Sequence, residues 1–345
     1  MINPTKPPAG SAPTKSASGL LLGLDIGGTK TAVLLVNRSW QVLGQVIRPT
    51  VTSSAEALVA AVMVAIEETL DQAGVLPDQL SATGIAVPGL VESGLGIVKL
   101  AVNLKLVDYP LGPVLAGRLG ASCTLENDVR SAALGAYRYV NQNEPLRHLA
   151  YLSIGTGIAA GVILDGRLYK GASGMAGEIG HVIFEPDGPI CGCGQAGCLE
   201  ALASGTAIAR QARERMSPEN QDHNVAGALG GLRKFTSEAV FEATGQGDLI
   251  AADILQQTGR YLARAIQMLI MVYDVEKVVL GGGVSQAGQA FLDPLLIELA
   301  DIRSQSTLAT TMLADDKISL LPAGYNAGAW GAIMMLVEQE GDEKK

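Results

Sequence analysis

The sequence predicts a duplicated α/β fold of two lobes, each built on a mixed sheet covered by helices. Strand-like segments alternate with helical patterns along the chain, and a strand, glycine turn and strand pattern occurs twice. The copies run over 20–36 and 151–164, so that Ser153 stands 128 residues after its counterpart Asp25. A chain of 345 residues that is 48% hydrophobic can bury the cores of two lobes. We expect ligands to bind in the cleft between them.

The elements of the first half follow from local patterns. After the first hairpin, apolar residues at helical spacing predict a helix over 55–73, and Gly74 stands where a C-cap glycine would. The segment 84–96 predicts a short buried strand, a Pro-Gly turn and a glycine-rich loop. A further short strand ends over 125–128, and a helix continues over 129–139.

The second half repeats this alternation after the second hairpin. Helical patterns cover 205–216, 237–244 and 249–273. A buried strand over 275–280 then opens onto a run of three glycines, and a last helix follows Gly328. We therefore expect a smaller lobe at 19–138 plus 328–345 and a larger lobe at 139–327.

Composition narrows the classes of function and the cell compartment. The net charge of -9 and a pI near 4.9 give no electrostatic footprint for nucleic acid. Residues 1–18 are rich in Pro, Ser, Ala and Lys without an apolar core segment, which predicts a disordered tail and excludes a signal peptide. No window is apolar enough to span a bilayer, and four cysteines fit a reducing compartment. We expect a cytoplasmic protein without nucleic-acid or membrane partners.

One imidazole and three thiols are concentrated in a short stretch of the larger lobe. His181, Cys191, Cys193 and Cys198 fall within eighteen residues, the donor set of a closed tetrahedral Cys3His zinc site. The alternative is a pair of disulfides. It is disfavoured because Cys191 and Cys193 are too close in sequence to bridge comfortably and nothing suggests an oxidising compartment. Cys123, alone in an apolar context, is expected to be a core thiol.

The glycine turns predict contacts to phosphate groups. The segment Asp25–Lys30 lacks the spacing of a Walker A loop and leads into a strand. The N–H groups of Gly27 and Gly28 could still approach an anion closely, with the Thr29 hydroxyl beside them and Asp25 holding magnesium through water. Glycines that serve only the hairpin turn are the alternative. Two further segments strengthen the phosphate interpretation, namely Gly155-Thr156-Gly157 and Gly281-Gly282-Gly283.

Three carboxylates are candidate substrate contacts. Asp128 fits two roles: the N-cap of the following helix, which local sequence favours, or a general base that accepts a proton from a substrate hydroxyl. Glu178 and Glu200 flank the cysteine and histidine stretch. They are either solvated loop residues or groups that hold sugar hydroxyls next to a loop fixed by metal.

These motifs together resemble the ROK family of bacterial sugar kinases and repressors, and most closely its glucokinases. The similarity covers nearly everything from Leu20 to the C-terminal helix. The motifs are Asp25–Lys30, Glu126-Asn127-Asp128, Gly155–Gly157, Glu178–His181, Cys191–Glu200 and Leu280–Gly283. The resemblance implies the actin-like ATPase (ribonuclease H-like) fold of hexokinases, with two lobes closing on sugar and ATP.

The resemblance also implies roles for individual residues. Asp128 would deprotonate the sugar 6-hydroxyl. The sugar hydroxyls would be contacted by Asn103, Asn127, Glu178, His181 and Glu200. Magnesium-ATP would lie between the loops at Gly27 and Gly155, with its nucleoside near Gly281–Gly283, and Lys30 would belong to the first loop. The zinc on His181 and the three cysteines would be structural.

The chain departs from the family pattern at two places. Arg130 and Ser131 stand where small or amide residues are usual, which could alter polarity near the base. Ala159 and Ala160 replace glycines, which could tighten nucleotide access. Neither departure removes a group that the chemistry requires.

The expected activity is ATP-dependent phosphorylation of glucose, with alternatives left open. N-acetylmannosamine, N-acetylglucosamine, mannose, fructose and allose are alternative substrates, and polyphosphate or ADP could replace ATP as the donor.

A sugar-sensing regulator of the same family is the alternative from another class of function. It is disfavoured by the acidic charge, by the short segment before the first strand and by the retained Asp25, Thr29 and Asp128. A third reading is a glucose-binding protein without catalysis. Homodimers are usual in the family, and tetramers occur.

Overall fold

The computed structural model describes residues 19–216, 229 and 235–342. The tail predicted over 1–18 lies outside the described residues.

Strands and helices alternate along the chain, as predicted. In chain order the strands are β1 (Leu20–Ile26), β2 (Lys30–Val36), β3 (Val42–Pro49), β4 (Leu80–Val87), β5 (Leu90–Glu92), β6 (Ile97–Ala101), β7 (Leu106–Tyr109), β8 (Ser122–Asn127), β9 (Leu149–Ile154), β10 (Ile158–Leu164), β11 (Arg167–Tyr169), β12 (Lys277–Gly281) and β13 (Ile318–Leu320). The helices are α1 (Ala55–Ala73), α2 (Leu111–Leu119), α3 (Asp128–Asn141), α4 (Leu199–Ala203), α5 (Gly205–Arg215), α6 (Ser237–Gly245), α7 (Leu249–Tyr273), α8 (Gln289–Ser304), α9 (Thr307–Met312) and α10 (Ala327–Asp342).

Two five-stranded sheets share one connectivity. The first has the order β3-β2-β1-β4-β8, and the second has the order β11-β10-β9-β12-β13. In the first sheet β2 is antiparallel to both neighbours, while β1, β4 and β8 run parallel. In the second sheet β11 is antiparallel to β10, while β9, β12 and β13 run parallel. The duplicated core that the two glycine hairpins predict is therefore confirmed.

A small third sheet differs from the prediction. The segment after Gly89 was expected to be a glycine-rich loop, but β5, β6 and β7 form a three-stranded antiparallel sheet there. The glycines mark its turns, since Gly89 and Gly96 have φ of +92° and +66°. The strands are too short and too exposed for a clear alternating pattern.

The residues group into two compact units. The first takes the chain up to Arg147, Gly161–Ala176 and the chain from Gly324, and the second takes His148–Ala160 and Gly177–Ala323. Gly161–Ala176 thus belongs to the first unit, whereas the sequence-based bounds place it in the larger lobe.

The first unit packs α10 closely against its sheet. A Cβ atom at Gly84 would lie 1.8 Å from the Ala332 carbonyl oxygen, and one at Gly135 would lie 2.0 Å from that of Ala327. Only glycine permits this backbone approach, which brings α10 onto both β4 and α3. On the other face, α1 buries Leu58, Val62 and Ile66 in the sheet core. Its predicted C-cap is present, with Gly74 at φ +64°.

The second unit is centred on the long helix α7. Its apolar residues recur at helical spacing, so one face is buried against α8 and the sheet core. Asp248 caps α7 by accepting a hydrogen bond from the Ala251 N–H group, and Ser204 caps α5 in the same way through Ala207. Among the described helices, none is long and apolar enough to cross a membrane.

Candidate active site

The turn between β1 and β2 is braced from β3. The Gly27 N–H group donates to the Lys30 carbonyl at 3.0 Å, and the Thr50 hydroxyl donates to the Gly27 carbonyl at 2.7 Å. The Thr50 N–H group also donates to the Thr29 carbonyl at 2.9 Å. Gly28, Thr29 and Lys30 themselves are exposed. The predicted phosphate loop is therefore held in shape while its tip stays open to a ligand.

Asn103 lies beside this loop. A Cβ atom at Gly28 would be 3.0 Å from the Asn103 Cβ atom, so the glycine makes room for the asparagine side chain. Asn103 is exposed and follows β6 in a short 3-10 turn. The structure thus brings a predicted sugar contact next to a predicted phosphate contact within the first unit.

Asp25, near the end of β1, has a carboxyl group whose pKa is strongly raised. Its side chain is packed so closely against Gly328 that a Cβ atom there would lie 2.5 Å from Asp25 Cγ. Burial, together with the nearby charge of Asp128, raises the pKa of Asp25 to about 7, although the charge of Lys30 opposes the shift. A bound divalent cation would reverse the effect of burial, which agrees with the magnesium role predicted for Asp25.

Asn127, rather than Asp128, caps the helix α3. Asn127 Oδ1 accepts hydrogen bonds from the N–H groups of Val129 at 3.0 Å and Arg130 at 3.2 Å, while its Nδ2 donates to the Gly89 carbonyl at 3.1 Å. The cap interpretation of Asp128 is therefore wrong, because β8 ends at Asn127 and α3 begins at Asp128, one residue earlier than the pattern suggested. Asp128 Oδ1 also accepts a hydrogen bond from the Val129 N–H group, at 2.9 Å. Asp128 is the half-buried first residue of α3, where a carboxylate is also favoured by the helix dipole.

Sequence reasoning gave no role to Glu126, which the structure makes the centre of a buried polar cluster. Its side chain is 1% exposed. Oε1 accepts from Arg130 Nε and from the Asn127 N–H group, both at 2.9 Å, and Oε2 accepts from Ser93 Oγ at 3.0 Å and Lys170 Nζ at 2.7 Å. Burial alone would raise the pKa of Glu126, but Lys170 and Arg130 hold it below its usual value.

This cluster explains the unusual Arg130. Its side chain is only 5% exposed and its charge is paired with Glu126, so it does not add a free cation near Asp128. Ser131 is also buried, and its hydroxyl donates to the Gly328 carbonyl at 3.0 Å. The two residues of the first departure from the family pattern, Arg130 and Ser131, therefore support the packing of α3.

In the second unit the loop Gly155–Gly157 is fixed by the start of α5. The Gly205 N–H group donates to the Gly155 carbonyl at 2.8 Å, and the Thr206 hydroxyl donates to the Thr156 carbonyl at 2.8 Å. The third glycine loop lies against it, since a Cβ atom at Gly155 would be 3.8 Å from the Gly283 nitrogen. Gly282 has φ of +90° and its α-carbon faces the Ile154 carbonyl. The structure thus brings these two predicted nucleotide loops together.

Glu200 joins the Gly155–Gly157 loop to the cysteine stretch. Its Oε2 atom accepts a hydrogen bond from the Ile158 N–H group at 3.0 Å, and a Cβ atom at Gly157 would lie 2.3 Å from that oxygen. Oε1 lies 3.8 Å from Cys191 Sγ. Glu200 is half-buried on α4, so its position is set by backbone and thiol contacts together.

Glu178 is exposed on a segment that lies tightly against β10. Cβ atoms at Gly177 and Gly180 would lie 1.9 Å and 2.0 Å from the carbonyl oxygens of Ala160 and Ile158. The Ala160 N–H group donates to the Gly177 carbonyl at 2.7 Å. Ala160 is thus a buried partner of the Glu178 segment, and the second departure from the family pattern fits the packing here.

His181 and the three cysteines of the stretch converge. Their four ligand atoms lie within 4.8 Å of one another. Cys191 Sγ is 3.7 Å from His181 Nδ1, and Cys193 Sγ is 3.6 Å from Cys198 Sγ. Tetrahedral zinc with bonds of about 2.3 Å separates its ligand atoms by roughly these distances. The four cysteines of the chain are free thiols, and Cys123 lies outside the cluster. The donor set and its spacing fit zinc, whereas the disulfide alternative does not fit.

Comparisons with known proteins identify the family and the relatives of this chain. The model of the ROK family matches residues 21–339. A glucokinase of Thermotoga maritima is 34% identical over 93% of this chain and 98% of its own length. An N-acetylmannosamine kinase of Yersinia pestis is 32% identical over 77% of this chain and 83% of its own.

Solved structures of ROK family proteins also superimpose on this chain. A ROK family glucokinase from Streptomyces griseus, solved with glucose and AMPPNP, superimposes with a TM-score of 0.74 at 30% identity, over 92% of this chain and 99% of its own. A ROK family transcriptional regulator, a homologue of the E. coli MLC protein, gives a TM-score of 0.77 at 27% identity, over 93% of this chain and 79% of its own. Kinases and regulators thus share this architecture.

Proposed function

This chain belongs to the ROK family, and from that premise we propose that it transfers the γ-phosphoryl group of ATP to the 6-hydroxyl of glucose. It is an ATP-dependent hexokinase with the actin-like ATPase fold. Glucose as the sugar, the role of each residue and the bound zinc are the proposed parts.

The observation that supports catalysis most directly is the placement of Asp128. Asn127 supplies the helix cap, and Asp128 is the first residue of α3, where its Oδ1 atom accepts a hydrogen bond from the Val129 N–H group at 2.9 Å. In the proposed reaction Asp128 takes the proton of the sugar 6-hydroxyl as that oxygen attacks the γ-phosphorus. Asp25 lies near the end of β1 in the same unit, close enough to Asp128 for their charges to interact.

The glycine loops are the proposed phosphate contacts. The N–H groups around Gly27–Lys30 and Gly155–Gly157 would bind phosphate oxygens, and Gly281–Gly283 would lie at the nucleoside end. Asp25, with its raised pKa, is the candidate partner of the magnesium that accompanies ATP and neutralises phosphate charge. Catalysis would consist mainly of positioning and charge stabilisation, as in phosphoryl transfer generally.

The proposed sugar ligands are Asn103, Asn127, Asp128, Glu178, His181 and Glu200. The Oδ1 atom of Asn127 is committed to helix α3, so its contact to the sugar would use the remaining Nδ2 hydrogen. Glu200 keeps Oε1 for a hydroxyl, since Oε2 is held by the Ile158 N–H group.

Zinc on His181, Cys191, Cys193 and Cys198 is proposed to be structural. Four protein ligands leave no open position for a reacting water, so the metal would brace the segment that carries His181 and Glu200. The contact between Cys191 and Glu200 makes that brace continuous with the proposed sugar site.

A panel of sugars tests the substrate. Coupled measurement of ADP release should give the highest kcat/KM for glucose among glucose, mannose, fructose, allose, N-acetylglucosamine and N-acetylmannosamine. A higher value for N-acetylmannosamine would transfer the assignment to the activity named for the Yersinia pestis relative. Sugar binding without ADP release, together with specific DNA binding, would instead favour a regulator.

A further inference from the structure

The buried carboxylate Glu126 holds a second cation that its own neutralisation does not require. Arg130 already pairs with Glu126 inside the core, and the Asn127 N–H group and Ser93 hydroxyl fill further acceptor positions. Lys170 nevertheless reaches the same carboxylate from outside, with its side chain 49% exposed and Nζ 2.7 Å from Oε2. The contact adds a second cation to Glu126 and also fixes Lys170, and Glu126 would remain paired with Arg130 without it.

Lys170 stands at the start of the glycine-rich loop that leads to Glu178. Gly171, Gly174 and Gly177 in this loop have φ of +72°, +71° and +100°. Such a loop has many accessible conformations when it is not held. The Ala176 N–H group donates to the Lys170 carbonyl at 3.1 Å, so the loop closes back on Lys170 two residues before Glu178. One residue thus fixes the loop through its backbone and anchors it through its side chain.

We propose that Lys170 is a positioning residue for the sugar, whose ion pair with Glu126 holds the segment 171–178 and so preorganises Glu178. The inference rests on the proposed function in taking Glu178 as a sugar ligand. Glu126 also receives the N–H group of Asn127, so the same carboxylate connects this loop to the turn that carries Asp128. A loop that is ordered before binding spares the sugar the entropy of ordering it.

Kinetics of Lys170→Met and Lys170→Arg test the proposal. In Lys170→Met, the KM for glucose and the calorimetric Kd for glucose without ATP should rise about tenfold, while kcat and the KM for ATP stay within about twofold. Lys170→Arg should restore the wild-type KM, because its longer cation can still pair with Glu126. An unchanged KM in Lys170→Met would overturn the proposal, and so would an equal defect in Lys170→Arg.

A matched control comes from a surface ion pair of the same unit. Arg147 Nη2 lies 2.6 Å from Asp165 Oδ1, and both side chains are mostly exposed. Arg147→Met removes a cation near the turn between β10 and β11 without touching Glu126, so its KM for glucose should equal that of the wild type. A tenfold rise in the KM for glucose of this control would show a general charge effect and overturn the specific role of Lys170.

Amide hydrogen exchange supplies a readout that needs no activity. In the ligand-free protein, residues 171–178 should exchange faster in Lys170→Met than in the wild type or Lys170→Arg, while β9 remains unchanged. Equal exchange in all three proteins would overturn the proposal. If the wild type phosphorylates no sugar, the proposed function fails, and the exchange result still decides whether Lys170 holds the loop.

Discussion

Asn127 caps the helix whose first residue is Asp128, so two adjacent polar side chains have separate tasks. The Asn127 oxygen accepts from two N–H groups of the first turn, at 3.0 and 3.2 Å. The Asp128 carboxylate lies on the first residue of the helix, and its Oδ1 atom accepts from the Val129 N–H group at 2.9 Å. This division predicts that the two residues can be separated by mutation.

Replacing Asp128 with Asn should abolish turnover while leaving the protein folded and able to bind sugar. The amide cannot accept the hydroxyl proton, so kcat should fall by about 10³-fold or more. Since the cap belongs to Asn127, the free energy of unfolding should change by less than about 0.5 kcal/mol. ADP release, glucose calorimetry and urea unfolding measure the three quantities. Full activity in this variant would remove Asp128 from the role of base.

Replacing Asn127 with Ala should reduce both stability and sugar affinity. Loss of a helix cap costs about 1 kcal/mol, measured by urea unfolding, and loss of the amide donor should raise the KM for glucose. Ser54→Ala is the matched control, because Ser54 caps α1 through the Ala57 N–H group and is not a proposed sugar ligand. Both variants should lose similar stability, but only Asn127→Ala should change the KM. An equal change in KM would show that stability alone explains it.

The sequence could predict contacts between near neighbours better than contacts between distant ones. The glycine hairpins and the cysteine cluster were visible because their residues lie close together in the chain. The cap was misassigned because β8 ends at Asn127 and α3 begins at Asp128, and a local pattern does not fix such a boundary to one residue. The pairing of Glu126 with Lys170 could not be predicted, because it depends on a loop and a strand end that only the folded first unit brings together.

Zinc content should depend on the cluster of His181, Cys191, Cys193 and Cys198 and not on Cys123. We expect about one zinc per chain by elemental analysis, and chelation should lower the melting temperature by about 5 °C or more, because structural zinc binding is coupled to folding. Cys193→Ser removes an exposed ligand and should lose the metal. Cys123→Ser, outside the cluster, should keep it. A metal-free protein with unchanged melting and activity would contradict the structural role.

Gly157→Ala should disturb the contact between the Gly155–Gly157 loop and Glu200. The new Cβ atom would lie 2.3 Å from Glu200 Oε2, so either the carboxylate or the loop must move. We expect kcat/KM to fall about tenfold or more, since small displacements of positioned groups are costly in catalysis. Gly117→Ala is the control, because a Cβ atom there has no neighbour within 4 Å and the site lies in α2. That variant should keep wild-type kinetics, and a loss there would show that the assay reports general damage.

The raised pKa of Asp25 predicts a pH dependence of stability in the ligand-free protein. Its folded-state pKa of about 7 exceeds the ordinary 3.8, so the folded state binds the proton more tightly than the unfolded state does. The stability that this proton contributes is complete below about pH 4 and is lost as the pH rises through 7. Asp25→Asn mimics the protonated form. It should therefore melt above the wild type at both pH 5 and pH 8, with the difference larger by about 3 °C or more at pH 8, by thermal unfolding without nucleotide or magnesium. A constant difference at both pH values would show that Asp25 is not the titrating group.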